Sequence, residues 1–460
     1  MKPAQEFPTK QRITIVGTGQ VSFLAAGLLI KKNRELNRQI QSLIKGGESG
    51  FENKVAELES KKIEISILGR SEDSVSFQEF KKNGFTLHFA NEVDSKLDDI
   101  RIFPEDFAKI TTNPNEIGEQ DHVLVATKTY SHNEELIARI NFLKKINPSP
   151  GLETTVIWAQ NGIPCWFESK DPDAPYLNTD MFRSIGVENI VGCVIDCSCN
   201  NKVTDEGIVC SANTPLCNIR FPVGKPDNKL TQAVRNLHLV FSETGIKTAV
   251  RDHGIKQDVM YNLQIDVATN ALTTLLDINI GGLLEDELCK KSARKLSVEI
   301  SQLSKKIFGF ELRDFDGIEK KLGLAKEHIT TTKKDFDEGN KVDIFIYEDV
   351  IQFEKRLNKR KVLLITSNIA DILKKAISVR DQLKDAKKAL KEVSKESNDL
   401  VQLVEMSYNP GTPKRGSSKK SPTSSGLVLL TKDRELSGLI SPNLSETHSL
   451  KNEVLTTGVE

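Results

Sequence analysis

An excess of charge of one sign is missing from this chain: lysine and arginine together number 64, and so do aspartate and glutamate. No global field therefore draws the 460 residues to nucleic acid or to an anionic membrane, and a small neutral or anionic ligand fits better. Long apolar runs are missing too. None reaches the roughly 18 residues that cross a bilayer, and the opening MKPAQEFPTK lacks the apolar core of a secretory signal. The expectation is a soluble, cytoplasmic chain with no nucleic-acid and no membrane partner. Paired CxxC spacing is also absent. The seven cysteines form an odd set, and the cluster Cys193, Cys197, Cys199 cannot supply four tetrahedral ligands, so reduced, half-buried strand thiols are expected and no metal. No HExxH, GxSxG or Walker pattern occurs, and the seven scattered histidines read as surface or capping residues.

What is present is an alternation of strand and helix. The runs ITIVG (13–17), KIEISILGR (62–70), DHVLVATK (121–128), TTVIWAQNG (154–162) and NIVGCVIDCS (189–198) are continuously apolar, as strands of a parallel sheet covered on both faces must be. The predicted fold is α/β: a Rossmann-type dinucleotide-binding domain over 11–250, then an all-helical domain over 251–375 beginning near DVMYNLQIDVATNALTTLL. A charged helical insertion, about 31–61, is broken at Gly46, Gly47 and Gly50 and reads as a surface hairpin. Over 376–406, Leu383, Ala386, Leu390, Val393, Ser397, Leu400 and Val404 recur at spacings of three and four, an amphipathic seam. It serves equally for packing on its own domain or for self-association, which leaves a homodimer open. Residues 407–460, rich in Ser, Pro, Gly and Lys, read as a disordered tail that folds, if at all, on a protein partner.

The chemistry starts in ITIVGTGQVSFLAAGLLI (13–30), a buried strand, a glycine turn and an apolar helix. Gly17 and Gly19 allow a tight turn and close approach of a pyrophosphate to the helix N-terminus. The third glycine of a dinucleotide fingerprint is replaced by Ser22, which is still small enough for close helix packing. The second strand ends in Gly69, Arg70 and Ser71. An arginine and a serine there, in place of an acid, favour the extra phosphate of NADP over NAD.

The segments ITIVGTGQ, LGR with FKKNGFTL, VLVATKTY, AQNGI, NLQIDVATNALTTLL with GGLL, and HITTTKKDFDEGNKVDIF follow one another over roughly 12–375. In this order the chain resembles the ketopantoate reductase family, the 2-dehydropantoate 2-reductases. The resemblance implies NADP(H) in the first domain, a helical domain closing over a small 2-keto acid, and hydride transfer to the keto carbon. It places Gly17, Thr18, Gly19, Gln20 and Val21 in the phosphate loop, Arg70 at the 2'-phosphate, Lys128 beside the cofactor, and Asn161 between nicotinamide and substrate. Asn270, Thr331 and Asp343 fall on substrate-binding positions, Thr331 in place of a serine and Asp343 in place of a glutamate.

One departure bears on catalysis. The family's proton-donating lysine is here Asn262, and a usual asparagine four residues on is Asp266, so Asn262, Asp266 and Asn270 share one helical face. Loss of a proton donor costs about 10²- to 10⁴-fold. Asp266 can replace it only if burial keeps its carboxyl protonated near neutral pH, and Lys128 is the other candidate. The rival reading is a catalytically impaired NADP-binding protein acting as an interaction or regulatory factor through its C-terminal helix and tail. An opine-type dehydrogenase would share the glycine turn but not HITTTKKD. Because its composition supports no core, the tail should be dispensable: a chain ending at Met406 is expected to melt within a few degrees of the full chain, as calorimetry will show.

Overall fold

The computed structural model describes residues 10–408 except 47–49, 90–98, 129–133, 147, 149–152, 165, 168–183, 198, 213–218, 228, 242–243, 245–246, 251–253 and 357–361. The tail from 409 on, Cys165 and Cys217 therefore lie outside the described residues. The five apolar runs form β1 (Gln11–Val16), β2 (Ile63–Leu68), β6 (His122–Val125), β7 (Thr155–Ala159) and β8 (Ile190–Cys193). With β5 (Lys109–Thr111) they make a parallel sheet in the order β5-β2-β1-β6-β7-β8. That is the order of a dinucleotide-binding sheet, whose crevice opens where the chain reverses direction between β1 and β6. Antiparallel β11 (Arg220–Gly224) and then β12 (Lys247–Val250) extend it beyond β8. Ile13, Ile15, Ile65, Ile67, Leu124, Val156 and Ile157 are at most 1% exposed, as an interior sheet requires.

A second sheet, β4-β3-β10-β9, is built from β3 (Phe85–Phe89), β4 (Ile100–Ile102), β9 (Cys199–Thr204) and β10 (Gly207–Ala212). It explains why the helix Gln20–Gly46 opens with residues that are apolar on every side. Ser22 through Ile30 are all buried, with the main sheet beneath and the second above. A Cβ on Gly27 would lie 2.8 Å from Leu87 Cδ2, so the small residue permits the close crossing. Phe23, Phe80 and Phe85 pack their rings there with centroids 4.8–6.0 Å apart. The charged insertion is the distal part of this same helix plus the helix Phe51–Lys61, joined through Leu36, Ile40 and Leu58.

His122, expected at the surface, is instead buried in β6 between two flanking strands, and burial drives its pKa down to about 4, so it is neutral. Among the described residues no helix is long and apolar enough to cross a membrane.

The second half is helical. The helix Ile255–Leu276 runs through its centre with buried side chains on all faces. It is surrounded by Glu287–Phe308, Thr331–Asp337, Phe345–Arg356 and the first turns of Leu364–Tyr408. That last helix contains the expected seam as its distal part. Ile369, Ala370, Ile372 and Leu373 are buried, whereas Leu383 and Ala386 are exposed. The side chains of the seam from Leu390 on lie outside the described residues.

The N-terminus of Leu364–Tyr408 is held by the buried carboxylate of Glu299, which accepts from Ile365 N at 2.8 Å, Thr366 N at 2.8 Å and Thr366 Oγ1 at 2.7 Å. Glu299→Ala leaves those donors unmet and is expected to cost about 2 kcal/mol, measured by urea unfolding.

Candidate active site

Gly17 follows β1 with φ +111°, a conformation that L side chains rarely adopt, and its N–H donates to Leu68 O at 2.9 Å. A Cβ at this position would lie 3.2 Å from Thr127 Cγ2 and 3.3 Å from Ser22 Oγ. The helix then begins at Gln20. Ser22, in the place of the third glycine, is fully buried, and its hydroxyl has no partner among the described residues. A tight glycine turn at the sheet's reversal point, opening a helix whose first residues Gln20 and Val21 line a cleft, fits a dinucleotide pyrophosphate.

At the end of β2, Arg70 is exposed. Its backbone and that of its neighbours are fixed by Arg139, which donates to Gly69 O, Thr112 O and, at 3.3 Å, Arg70 O. The next acid along the chain, Glu72, is engaged by Thr112 Oγ1 at 3.0 Å and by Lys81 at 3.3 Å. Lys128, just past β6, forms an ion pair with Asp335 on the helix Thr331–Asp337 and so ties the two halves together.

The cleft between the halves has a volume of about 850 Å³. Asn161, Asn262, Asp266, Asn270 and Thr331 line it together with Gln20 and Val21. Lys128 and Asp343 are not among its lining residues. Asn161 follows β7; Asn262, Asp266 and Asn270 come from the central helix. Asn262 Nδ2 donates to Asn161 Oδ1 at 3.2 Å and to Asp266 Oδ2 at 3.4 Å, making a continuous polar row across the junction. Burial pushes the Asp266 carboxyl up to about 7, with the nearby Lys321 cation opposing the shift and the Asp343 charge adding to it.

Thr331 starts its helix next to Thr330, whose hydroxyl meets Thr273 Oγ1 at 2.9 Å and accepts from Lys333 N at 3.3 Å. The cleft also has residues that the sequence did not single out: Arg220, Arg313, Lys320, Lys321 and Asp196. Asp196 holds Arg220 at 2.8 Å and Lys321 at 2.5 Å, a second link between the halves. Lys320 and Lys321 lie in FDGIEKKL, which reads as an ordinary solvated helix; only their place in the fold distinguishes them.

No family model matches the chain. A curated relative, the 2-dehydropantoate 2-reductase of Mesorhizobium japonicum, is 22% identical over 273 residues, covering 57% of this chain and 78% of that protein. The solved 2-dehydropantoate 2-reductase of Geobacter metallireducens aligns with a TM-score of 0.55 at 19% identity, over 80% of this chain and 99% of its own. The chain has the ketopantoate reductase fold. D-mandelate dehydrogenase, solved with NADH and anilino(oxo)acetate, shares it, with a TM-score of 0.56 at 15% identity over 81% of this chain and 98% of its own. Within this ketopantoate reductase fold, the wall where resemblance expects a lysine presents Asn262, and one helical turn on stands a carboxyl in place of an amide.

The Asp266 carboxyl has a measurable signature. Its folded-state pKa stands above the unfolded value of 3.8, so its contribution to stability is complete below that value and is lost as pH rises through about 7. Relative to Asp266→Asn, the wild type should lose melting temperature between pH 4 and pH 8, and parallel scans of the two proteins check this.

Proposed function

We propose that this chain is an NADPH-dependent reductase of small 2-oxo acids, of the ketopantoate reductase type. The observation that carries the reading is the row of Asn161, Asn262, Asp266 and Asn270 along a cleft that begins at the glycine turn. The name of the Mesorhizobium relative, and the NADH and oxo acid bound to D-mandelate dehydrogenase, support the same chemistry.

Gly17 to Val21 hold the pyrophosphate, and Arg70 meets the 2'-phosphate that distinguishes NADPH, the nearest acid being engaged elsewhere. When bound, NADPH supplies a hydride to the keto carbon. The carbonyl oxygen takes the released electron pair and needs one proton. Asp266, held by burial in the range where it is protonated near neutrality, delivers that proton in place of the missing lysine. Asn161 has its Oδ1 occupied by Asn262, which leaves its NH₂ as a donor to the substrate. Asn270 and Thr331 bind the substrate, and Asp343, which does not line the cleft, acts through its charge on the Asp266 carboxyl. Lys128, held by Asp335, lies by the cofactor and is not the acid.

Purified protein should oxidise NADPH in the presence of ketopantoate or another small 2-oxo acid, and bind NADPH more tightly than NADH, with Arg70→Ala closing most of that gap. Asp266→Asn should lower kcat by about 10²-fold or more. Adding Asn262→Lys to it restores the usual pair and should recover ketopantoate turnover. Tight NADPH binding without turnover of any 2-oxo acid would refute the reductase reading and favour a non-catalytic cofactor-binding protein.

A further inference from the structure

Beside Asn262 a small side pocket of about 40 Å³ opens, walled by Arg220, Arg313, Lys321, Tyr261, Asp196 and Asp258. Asn262, Arg220, Arg313, Lys321 and Asp196 line the main cleft as well, so the two spaces share a wall. Three cations face two carboxylates there, and the partners divide unevenly. Asp196 is already held by Arg220 at 2.8 Å and by Lys321 at 2.5 Å. Arg313 stacks its guanidinium 4.8 Å from the Tyr261 ring centroid, and among the described residues no carboxylate lies within 4.0 Å of it. The Tyr261 oxygen faces that same guanidinium, itself a donor, and the hydroxyl proton has no acceptor among the described residues.

Both carboxylates of the wall are already engaged, Asp196 by Arg220 and Lys321 and Asp258 by a partner of its own, so the Arg313 guanidinium and the Tyr261 hydroxyl proton define what should enter the pocket. The Tyr261 hydroxyl oxygen is buried, and buried polar groups are nearly always hydrogen-bonded; Arg313 is exposed and brings to the wall a charge that no ion pair takes up among the described residues, and a guanidinium pairs best with a carboxylate. A water fills about 10 to 15 Å³ of such space, so the pocket holds about three heavy atoms, the size of a carboxylate. A methyl would leave the Tyr261 hydroxyl proton unmet, and a hydroxyl would leave the Arg313 charge without a counter-charge.

We propose that Arg313 and Tyr261 bind a second carboxylate of the substrate, so that the chain's favoured substrates are 2-oxo dicarboxylic acids. The inference rests on the reductase reading above and narrows its substrate class. The space left by the short Asn262 side chain, where a lysine is expected, is the passage from the reacting carbonyl to this pocket.

The test compares substrates that differ only at the far end: 2-oxoglutarate with 2-oxopentanoate, and oxaloacetate with 2-oxobutanoate, each with NADPH. The dicarboxylate of at least one pair should have a kcat/KM about ten- to a hundredfold higher, carried by KM. Arg313→Met should collapse that ratio, Arg313→Lys should keep part of it, and Tyr261→Phe should lower it several-fold. Because each ratio is taken within one protein, loss of folded material cancels. Equal kcat/KM within both pairs, or a ratio that survives Arg313→Met, overturns the inference and leaves the reductase reading standing. If no 2-oxo acid is reduced at all, the reductase reading fails and the inference falls with it.

Discussion

The enclosure of the helix Ile255–Leu276 fixes the cleft. Val259, Met260, Leu263, Val267, Ala268, Ala271 and Leu272 are at most 3% exposed, so the helix is gripped on the faces that do not line the cleft and cannot roll. Polar contacts set its rotation as well. Gln264 is buried and donates to Ser297 O, Ser297 Oγ and Arg313 O, Thr273 meets Thr330, and Tyr347 Oη accepts from Ala271 N at 2.8 Å. A register change of one residue turns a helix by about 100°. It would break all three sets of contacts and carry Asn262, Asp266 and Asn270 out of the cleft together.

The same enclosure sets the electrostatics. A carboxyl on a helix that forms both core and cleft wall sheds much of its hydration, and its charged form is disfavoured. Lys321 offsets this only in part, because its ammonium is already held by Asp196. The halves of the molecule meet through charged pairs, Lys128 with Asp335 and Asp196 with Lys321, while the apolar contacts lie behind them.

Much of this was legible in the sequence because it rests on local pattern. The five apolar runs became central strands, since full burial leaves a continuous hydrophobic record, and the glycine turn sits where the strand order reverses. The second sheet left a weaker record. β3 pairs with β10 more than a hundred residues away, and β9 is too polar to stand out; only the turn at Gly207, with φ +117°, marks their hairpin locally. For the same reason the basic residues of the cleft were missed. Arg220 and Lys321 are ordinary surface residues by neighbourhood in the chain and become a pair on Asp196 only through the tertiary fold. His122 was misread because a single polar residue at a strand's start gives no sign that strands flank it on both sides.

The grip of Arg139 on the carbonyls of Gly69, Arg70 and Thr112 has a consequence for recognition. Ordering a loop around a ligand costs about 1 to 2 kcal/mol of backbone entropy per residue fixed. Here that ordering is already complete in the folded chain, so the exposed Arg70 has only its side-chain rotamers left to lose when it meets an anion. The guanidinium of Arg139 also draws to itself carbonyl oxygens whose lone pairs would otherwise repel a phosphate. A residue with no assigned contact to any ligand thereby makes the end of β2 a stiff and electrostatically quiet support for the one arginine that reaches outward.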